Sequence, residues 1–96
     1  MTATVWVPKD TGHDFSHAET FGPVRFMLGA PEPSPFEVQR VKTELSRTPV
    51  RAEDYLVMAG PPVMCALALE RFREVAATVK VLIYHAGKHL YLERMV

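Results

Sequence analysis

Apolar and polar residues along the chain fall into short blocks, and the block lengths separate strands from helices. Residues 4–7 (Thr-Val-Trp-Val) are β-branched and aromatic and stop at Pro8, which predicts a short first strand. Residues 24–28 (Val-Arg-Phe-Met-Leu) alternate weakly between Gly22-Pro23 and Gly29 and predict a second. Residues 55–59 (Tyr-Leu-Val-Met-Ala) are apolar without a break. A run of that length implies burial on both faces, as at the centre of a parallel or mixed sheet. Residues 79–84 predict a fourth strand. Ala86-Gly87-Lys88 then makes a hairpin turn with Gly87 at positive φ, and Leu90-Tyr91-Leu92 pairs back as the last strand.

Two helical periodicities lie between these strands. Pro31, Pro33 and Pro35 fix three φ angles and remove three donors, so they form an extended connector. It ends in a helix start, with Ser34 as cap, Pro35 at the first helical position and Glu37 closing an S-x-x-E box. Val38, Val41 and Leu45 then share one face, while Arg40, Lys42 and Glu44 stay solvated. Thr48-Pro49 ends this helix. Gly60-Pro61-Pro62 turns the chain again, and Cys65, Ala68, Leu69, Phe72, Val75 and Ala76 form a second stripe against Glu70, Arg71, Arg73 and Glu74. The order is β-β-α-β-α-β-β. It predicts an α/β protein, of α+β sandwich-like build, with a five-stranded mixed sheet and two helices. One right-handed βαβ unit spans residues 55–84, a hairpin closes the chain, and a single domain covers 1–96.

Composition narrows the function classes. Hydrophobic residues make up 48% and charged ones 23%, which excludes wholesale disorder. Ninety-six residues suit one core rather than two. Eleven basic side chains balance eleven acidic ones, so the cationic field of a non-specific nucleic-acid binder is missing, and an acidic DNA mimic is equally disfavoured. One cysteine excludes a disulfide framework and a multi-Cys zinc site and fits a reducing compartment. The longest uncharged stretch, residues 55–69, falls short of the roughly 20 apolar residues of a membrane span. Gly60-Pro61-Pro62 also interrupts it, and the N-terminal residues lack a signal-peptide pattern. The expectation is a cytoplasmic protein of a bacterial cell without a membrane partner.

Candidate chemistry concentrates in the polar segment of residues 9–22. Asp10-Thr11-Gly12 invites comparison with the aspartic-protease signature, whose mechanism needs two Asp sharing a proton in a shielded site. Pro8-Lys9 before it, His13-Asp14 after it and two helices elsewhere do not fit that family, and turn chemistry accounts for the tripeptide. Ser16 and Glu19 suit the start of one helical turn. His13 and His17 have the i, i+4 spacing that puts two imidazoles on one helical face, with Asp14 and Glu19 nearby. A divalent ion needs three or more ligands and an ordered second shell. The expectation is therefore no metal and no cofactor, with His13 and His17 the candidate ligands if one binds. The alternative is a surface loop whose polar groups cap turns, yet a long polar loop in so small a domain often carries function.

The other candidates are poorer. Gly60-Pro61-Pro62 is placed like an anion site at a strand end, but its prolines remove two amides and no Lys, Ser or Thr follows. Cys65 lies in an apolar stripe without a base and reads as structural. His85 and His89 flank the hairpin turn and are expected to face each other as a surface pair. Arg25, Arg40, Arg47 and Arg51 are dispersed among acids and read as solvated.

Residues 11–19 (Thr-Gly-His-Asp-Phe-Ser-His-Ala-Glu), residues 54–62 (Asp-Tyr-Leu-Val-Met-Ala-Gly-Pro-Pro) and the last strand pair resemble a group of small uncharacterised proteins of tailed bacteriophages. The resemblance spans most of the chain. It implies a phage origin and a βαβ-containing fold, and it brings no activity. Gly-Asp-Pro is more typical of that group than Gly60-Pro61-Pro62, so here a carboxylate is missing from the strand end.

These features point to a protein-interaction or accessory module without catalytic activity and with a host protein as partner. Two short helices cover five strands incompletely, and Leu90-Tyr91-Leu92 with Met95-Val96 leaves an apolar edge, which predicts a homodimer. The alternative is a binder or hydrolase of a nucleotide or other small anion. Its site would combine His13, Asp14, Ser16, His17 and Glu19 with Gly60. That requires the first strand to lie beside residues 55–59 with the same polarity.

Overall fold

A computed structural model describes residues 2–96; residue 1 of the single domain expected over 1–96 lies outside them. The strands are β1 (Val5–Val7), β2 (Val24–Phe26), β3 (Tyr55–Val57), β4 (Lys80–His85) and β5 (Leu90–Met95). The helices are α1 (Val38–Ser46), between β2 and β3, and α2 (Pro62–Arg73), between β3 and β4. All five strands join one sheet in the order β2-β1-β3-β4-β5. β1 runs parallel to both β2 and β3, β3 runs parallel to β4, and β5 closes the sheet antiparallel to β4. The mixed sheet, the two helices and the chain order are those the sequence pattern predicts.

Successive strand residues face opposite ways, so the alternation along β1 and β3 divides the core in two. Trp6, Leu56 and Val81 face the helices and pack with Val41, Leu45, Met64, Ala68 and Phe72. Val5, Val7, Val57 and Leu82 face the other side, where Phe15, Ala18 and Tyr91 cover them and Phe21 packs against the cluster. The segment that reads as a polar loop is therefore the second layer of the fold. Phe15, Ala18 and Phe21 recur at intervals of three, and a single 3-10 turn at Ala18–Thr20 turns them inward.

Connectivity follows from this two-sided cover. The β1-to-β2 connection crosses one face, while those through α1 and α2 run the opposite way along the sheet over the other face. Reversing both direction and face preserves the hand, so the three parallel connections share one hand.

Several boundaries differ from the sequence pattern for local reasons. The ladder of β2 ends at Phe26, although the Met27 and Leu28 amides still donate to the Val7 and Pro8 carbonyls. The Ser34 box forms one turn ahead of α1. The Ser34 amide donates to Glu37 Oε2 and the Phe36 amide to Ser34 Oγ, but Glu37, at φ −91° and ψ 63°, breaks the chain before Val38. Pro35 therefore lies in a turn. In α2, Met64 and Leu67 are buried, while Val75 and Ala76 fall beyond its end, both amides converging on the Phe72 carbonyl. In the last hairpin His89, not Gly87, has positive φ (53°). A Cβ at Gly87 would stand 3.2 Å from Cε1 of His85, the far end of an exposed side chain that has only to give by a few tenths of an ångström.

At the amino ends of the strands a carboxylate ties the sheet together. Asp54 is only 1% exposed, and it accepts hydrogen bonds from the Thr4 amide, Trp6 Nε1 and the Arg51 amide, each at 2.9 Å. Burial alone would raise its pKa. The hydrogen bonds from Thr4, Trp6 and Arg51, together with the Arg51 charge, reverse that and hold it below the usual carboxylate range. Arg51 is thus no solvated residue: its guanidinium also donates to the Thr2 carbonyl at 2.8 Å. Arg71 works similarly across the helices, donating from α2 to the Leu45 and Thr48 carbonyls at the end of α1.

Candidate functional site

β1 and β3 lie side by side and point the same way, but the chain leaves them toward opposite edges of the sheet. At such a switch point the two departing loops diverge, and a crevice opens at the carboxyl ends of the strands. Here it is a cleft of about 310 Å³. His13 and Asp14 line it from the loop after β1, Met58, Ala59 and Gly60 from the end of β3, and Tyr84 and Tyr91 from the hairpin.

Local chemistry places each group. The Asp10 carboxylate accepts the Gly12 amide at 2.9 Å, and Asp14 does the same for Ser16 at 2.9 Å. These two Asx turns hold His13 and Asp14 at the rim while Phe15 goes into the core. The backbone and side-chain hydrogen bonds of Ser16 lower the pKa of Asp14, which keeps it ionised. Gly60 ends the strand at φ 118°, a conformation that side chains rarely adopt.

The tyrosines follow from strand register. Val79 and Val96 exchange both backbone hydrogen bonds, so every second pair along β4 and β5 does likewise. Tyr84 and Tyr91 form one of the intervening pairs, in which side chains stand closest, and their ring centroids are 5.2 Å apart. Tyr84 is 48% exposed, with its hydroxyl 3.3 Å from Nδ1 of His89. Tyr91 is buried beneath it. Burial, then the neighbouring Tyr84 and Asp14, raise the pKa of its hydroxyl.

Of the six residues singled out from the sequence, His13, Asp14 and Gly60 meet at this cleft. His17 stands apart from its lining. Its Nδ1 accepts the Tyr91 amide at 2.9 Å, so Nδ1 carries a lone pair and not a proton. His13 precedes the 3-10 turn, and the two imidazoles share no helical face. Among the described residues no group of three or more His, Cys, Asp or Glu is placed to hold a metal ion. Ser16 and Glu19 lie outside the lining as well: the Ser16 amide holds Asp14, and Glu19 belongs to the 3-10 turn. Met58, Ala59, Tyr84 and Tyr91 were missed. The equal spacing of Tyr84 and Tyr91 about the hairpin turn is the signal that would have paired the last two.

The remaining candidates are structural. Cys65 is buried with Sγ 3.8 Å from the Gly60 carbonyl, and burial pushes its thiol pKa up, away from a nucleophilic thiolate. His85 and His89 do not pair. His85 Nδ1 accepts the Lys88 amide at 3.2 Å, and His89 meets Tyr84. On the other side of the Gly60-Pro61-Pro62 turn lies a second concavity, an apolar groove lined by Pro35, Phe36, Val38, Pro61, Pro62 and Val63. Phe36 is 94% exposed on its rim.

The sequence matches the Phage Pam3 gp32-like protein family over residues 3–96. The chain belongs to that family. The match takes in the 11–19 and 54–62 segments and the final hairpin, on which the phage resemblance rests. No curated relative matches, and no solved structure does. As a Phage Pam3 gp32-like protein, the chain carries its cleft and its groove on segments that lie within the family match. No helix among the described residues is long and apolar enough to cross a membrane.

Proposed function

We propose that this phage protein is a non-catalytic binding module of the host cytoplasm, and that it holds a host protein at the carboxyl end of its sheet. The observation that carries the reading is Phe36. Phenylalanine side chains are worth most when buried, yet this one is 94% exposed beside an all-apolar groove. The cleft with Asp14 at its rim lies just across the Gly60-Pro61-Pro62 turn, so the carboxyl end of the sheet presents an aromatic anchor, an apolar groove and a notch of mixed polarity. Protein-binding surfaces combine those parts. The nucleotide or anion alternative is less well supported. Asp14 lines the cleft and no Lys or Arg does, and Pro61 and Pro62 take away amides that a phosphate would use.

The test is capture from extracts of infected host cells with wild-type protein and with Phe36→Asp. A host protein recovered by the wild type and lost with Phe36→Asp, at unchanged melting temperature, is the expected result. Equal recovery by both contradicts the reading.

Self-association is a second reading, favoured by one observation. Ile83 on β4 and Met95 and Val96 at the end of the chain are about half exposed. Sedimentation equilibrium should then give twice the 10.8 kDa chain mass. A single species at the chain mass excludes it.

A further inference from the structure

We propose that the cleft at the carboxyl ends of β1 and β3 receives the guanidinium of an arginine side chain from the bound partner, with Asp14 as its counter-charge and the Tyr84 ring as its stacking face. The inference rests on the binding-module reading and names what the notch beside the Phe36 groove recognises.

Charge is the first ground. No Lys or Arg lines the cleft, and Asp14 stands at its rim with a hydrogen bond from the Ser16 amide fixing its carboxylate. The stem of Lys9 passes close to Gly60, but its Nζ turns to Glu32 at 3.9 Å. An anion entering the cleft would meet the Asp14 carboxylate, two tyrosines and the His13 imidazole, with no Lys or Arg among them. A cation would meet the same carboxylate as its counter-charge.

Shape and polarisability are the second. Tyr84 is half exposed and lines the cleft, and its ring stands 5.2 Å from that of Tyr91 at a tilt of 58°, so part of an aromatic ring is open to the cleft. Cations stack on such faces within about 6 Å of the ring centroid. The same sheet does this twice internally: the Arg25 guanidinium stands 5.0 Å over Trp6, and Lys80 Nζ stands 4.5 Å over Tyr55. Met58 adds a soft apolar floor for an aliphatic stem. A volume of about 310 Å³ is at the low end for ligand sites and suits one long side chain. Arginine fits better than lysine, because a planar fork can stack on the ring and still donate to the Asp14 carboxylate.

The test is an amide-resolved NMR titration with N-acetyl-arginine N-methylamide, its citrulline analogue and inorganic phosphate. The arginine compound should shift Gly60, Tyr84 and Tyr91, and the uncharged citrulline compound should bind about tenfold more weakly, having lost both ion pair and cation–π contact. Asp14→Asn and Tyr84→Ala, each at an exposed position, should weaken the arginine compound about threefold with spectra otherwise native. Equal binding of citrulline, preference for phosphate, or unchanged affinity in Asp14→Asn overturns the inference. None of these outcomes touches the Phe36-dependent capture, so the binding-module reading is judged separately. Saturating arginine compound should also release the captured host protein. If it fills the cleft without releasing the partner, the site serves a free cation and the assignment to a partner side chain is wrong.

Discussion

Nδ1 of His17 accepts the backbone N–H of Tyr91 at 2.9 Å, and the two rings stack with their planes 12° apart. In the β4–β5 register the Tyr91 amide points away from β4, out from the edge of the sheet. The contact therefore does two things. It satisfies an edge donor that would otherwise invite another strand, and it fastens the 8–23 connection over the face that no helix covers.

His17→Ala should cost about 1–2 kcal/mol, since it removes both the acceptor and the stacked ring. Urea unfolding measures the loss. Hydrogen exchange should show Tyr91 as the amide most accelerated within β5. Unchanged exchange at Tyr91 would mean that the loop is held by Phe15 and Ala18 alone.

Asp54 should govern the acid limb of stability. Its pKa is lower in the folded protein than the ordinary 3.8, so its contribution is complete above that value and disappears as the pH falls through the folded one. Asp54→Asn should flatten the fall in stability below about pH 4. Asp54→Ala, which strands one buried and two part-buried donors, should cost about 3 kcal/mol at neutral pH. Denaturant titrations across pH check both.

Two glycines should respond unequally to alanine. A Cβ at Gly22 would collide with the Ala3 carbonyl oxygen, a backbone atom that cannot step aside. A Cβ at Gly60 meets only ordinary contacts, so its cost is the backbone conformation alone. Gly60→Ala should lose about 1 kcal/mol. Gly22→Ala should lose more, and comparable melting temperatures for the two would contradict this account.

Cys65 should be inert in the native state. Burial raises the thiol pKa above its ordinary 9.0 and shields the sulfur. A chromogenic disulfide reagent at neutral pH should react with one thiol per chain only on unfolding, and rapid reaction with native protein would show an open site.

The helix-facing half of the fold was legible because its signals are periodic. Val38, Val41 and Leu45 on α1, and the apolar block that Gly60 divides into β3 and α2, read directly from spacing. The loop-covered half was not. Phe15, Ala18 and Phe21 are three apolar residues diluted among Asp, Ser, His and Glu, and only the sheet they cover reveals them as a layer. Half of the candidate site was legible for a related reason. His13, Asp14 and Gly60 belong to loops whose turn chemistry is local. Tyr84 and Tyr91 reach the cleft through hairpin register, and the segments that follow β1 and β3 meet there only through strand order. Asp54 precedes an apolar run like any strand-entry carboxylate, and its burial depends on Trp6, 48 residues away.

The most direct test of the central claim, that the carboxyl end of the sheet is the working surface, is hydrogen exchange on the protein with and without the host protein that the proposed capture is expected to recover. Protection gained at residues 13–16, 36–40 and 58–64 is the predicted result. Protection confined to the outer edge of β2 or β5, or to the Asp54 end of the sheet, would contradict it.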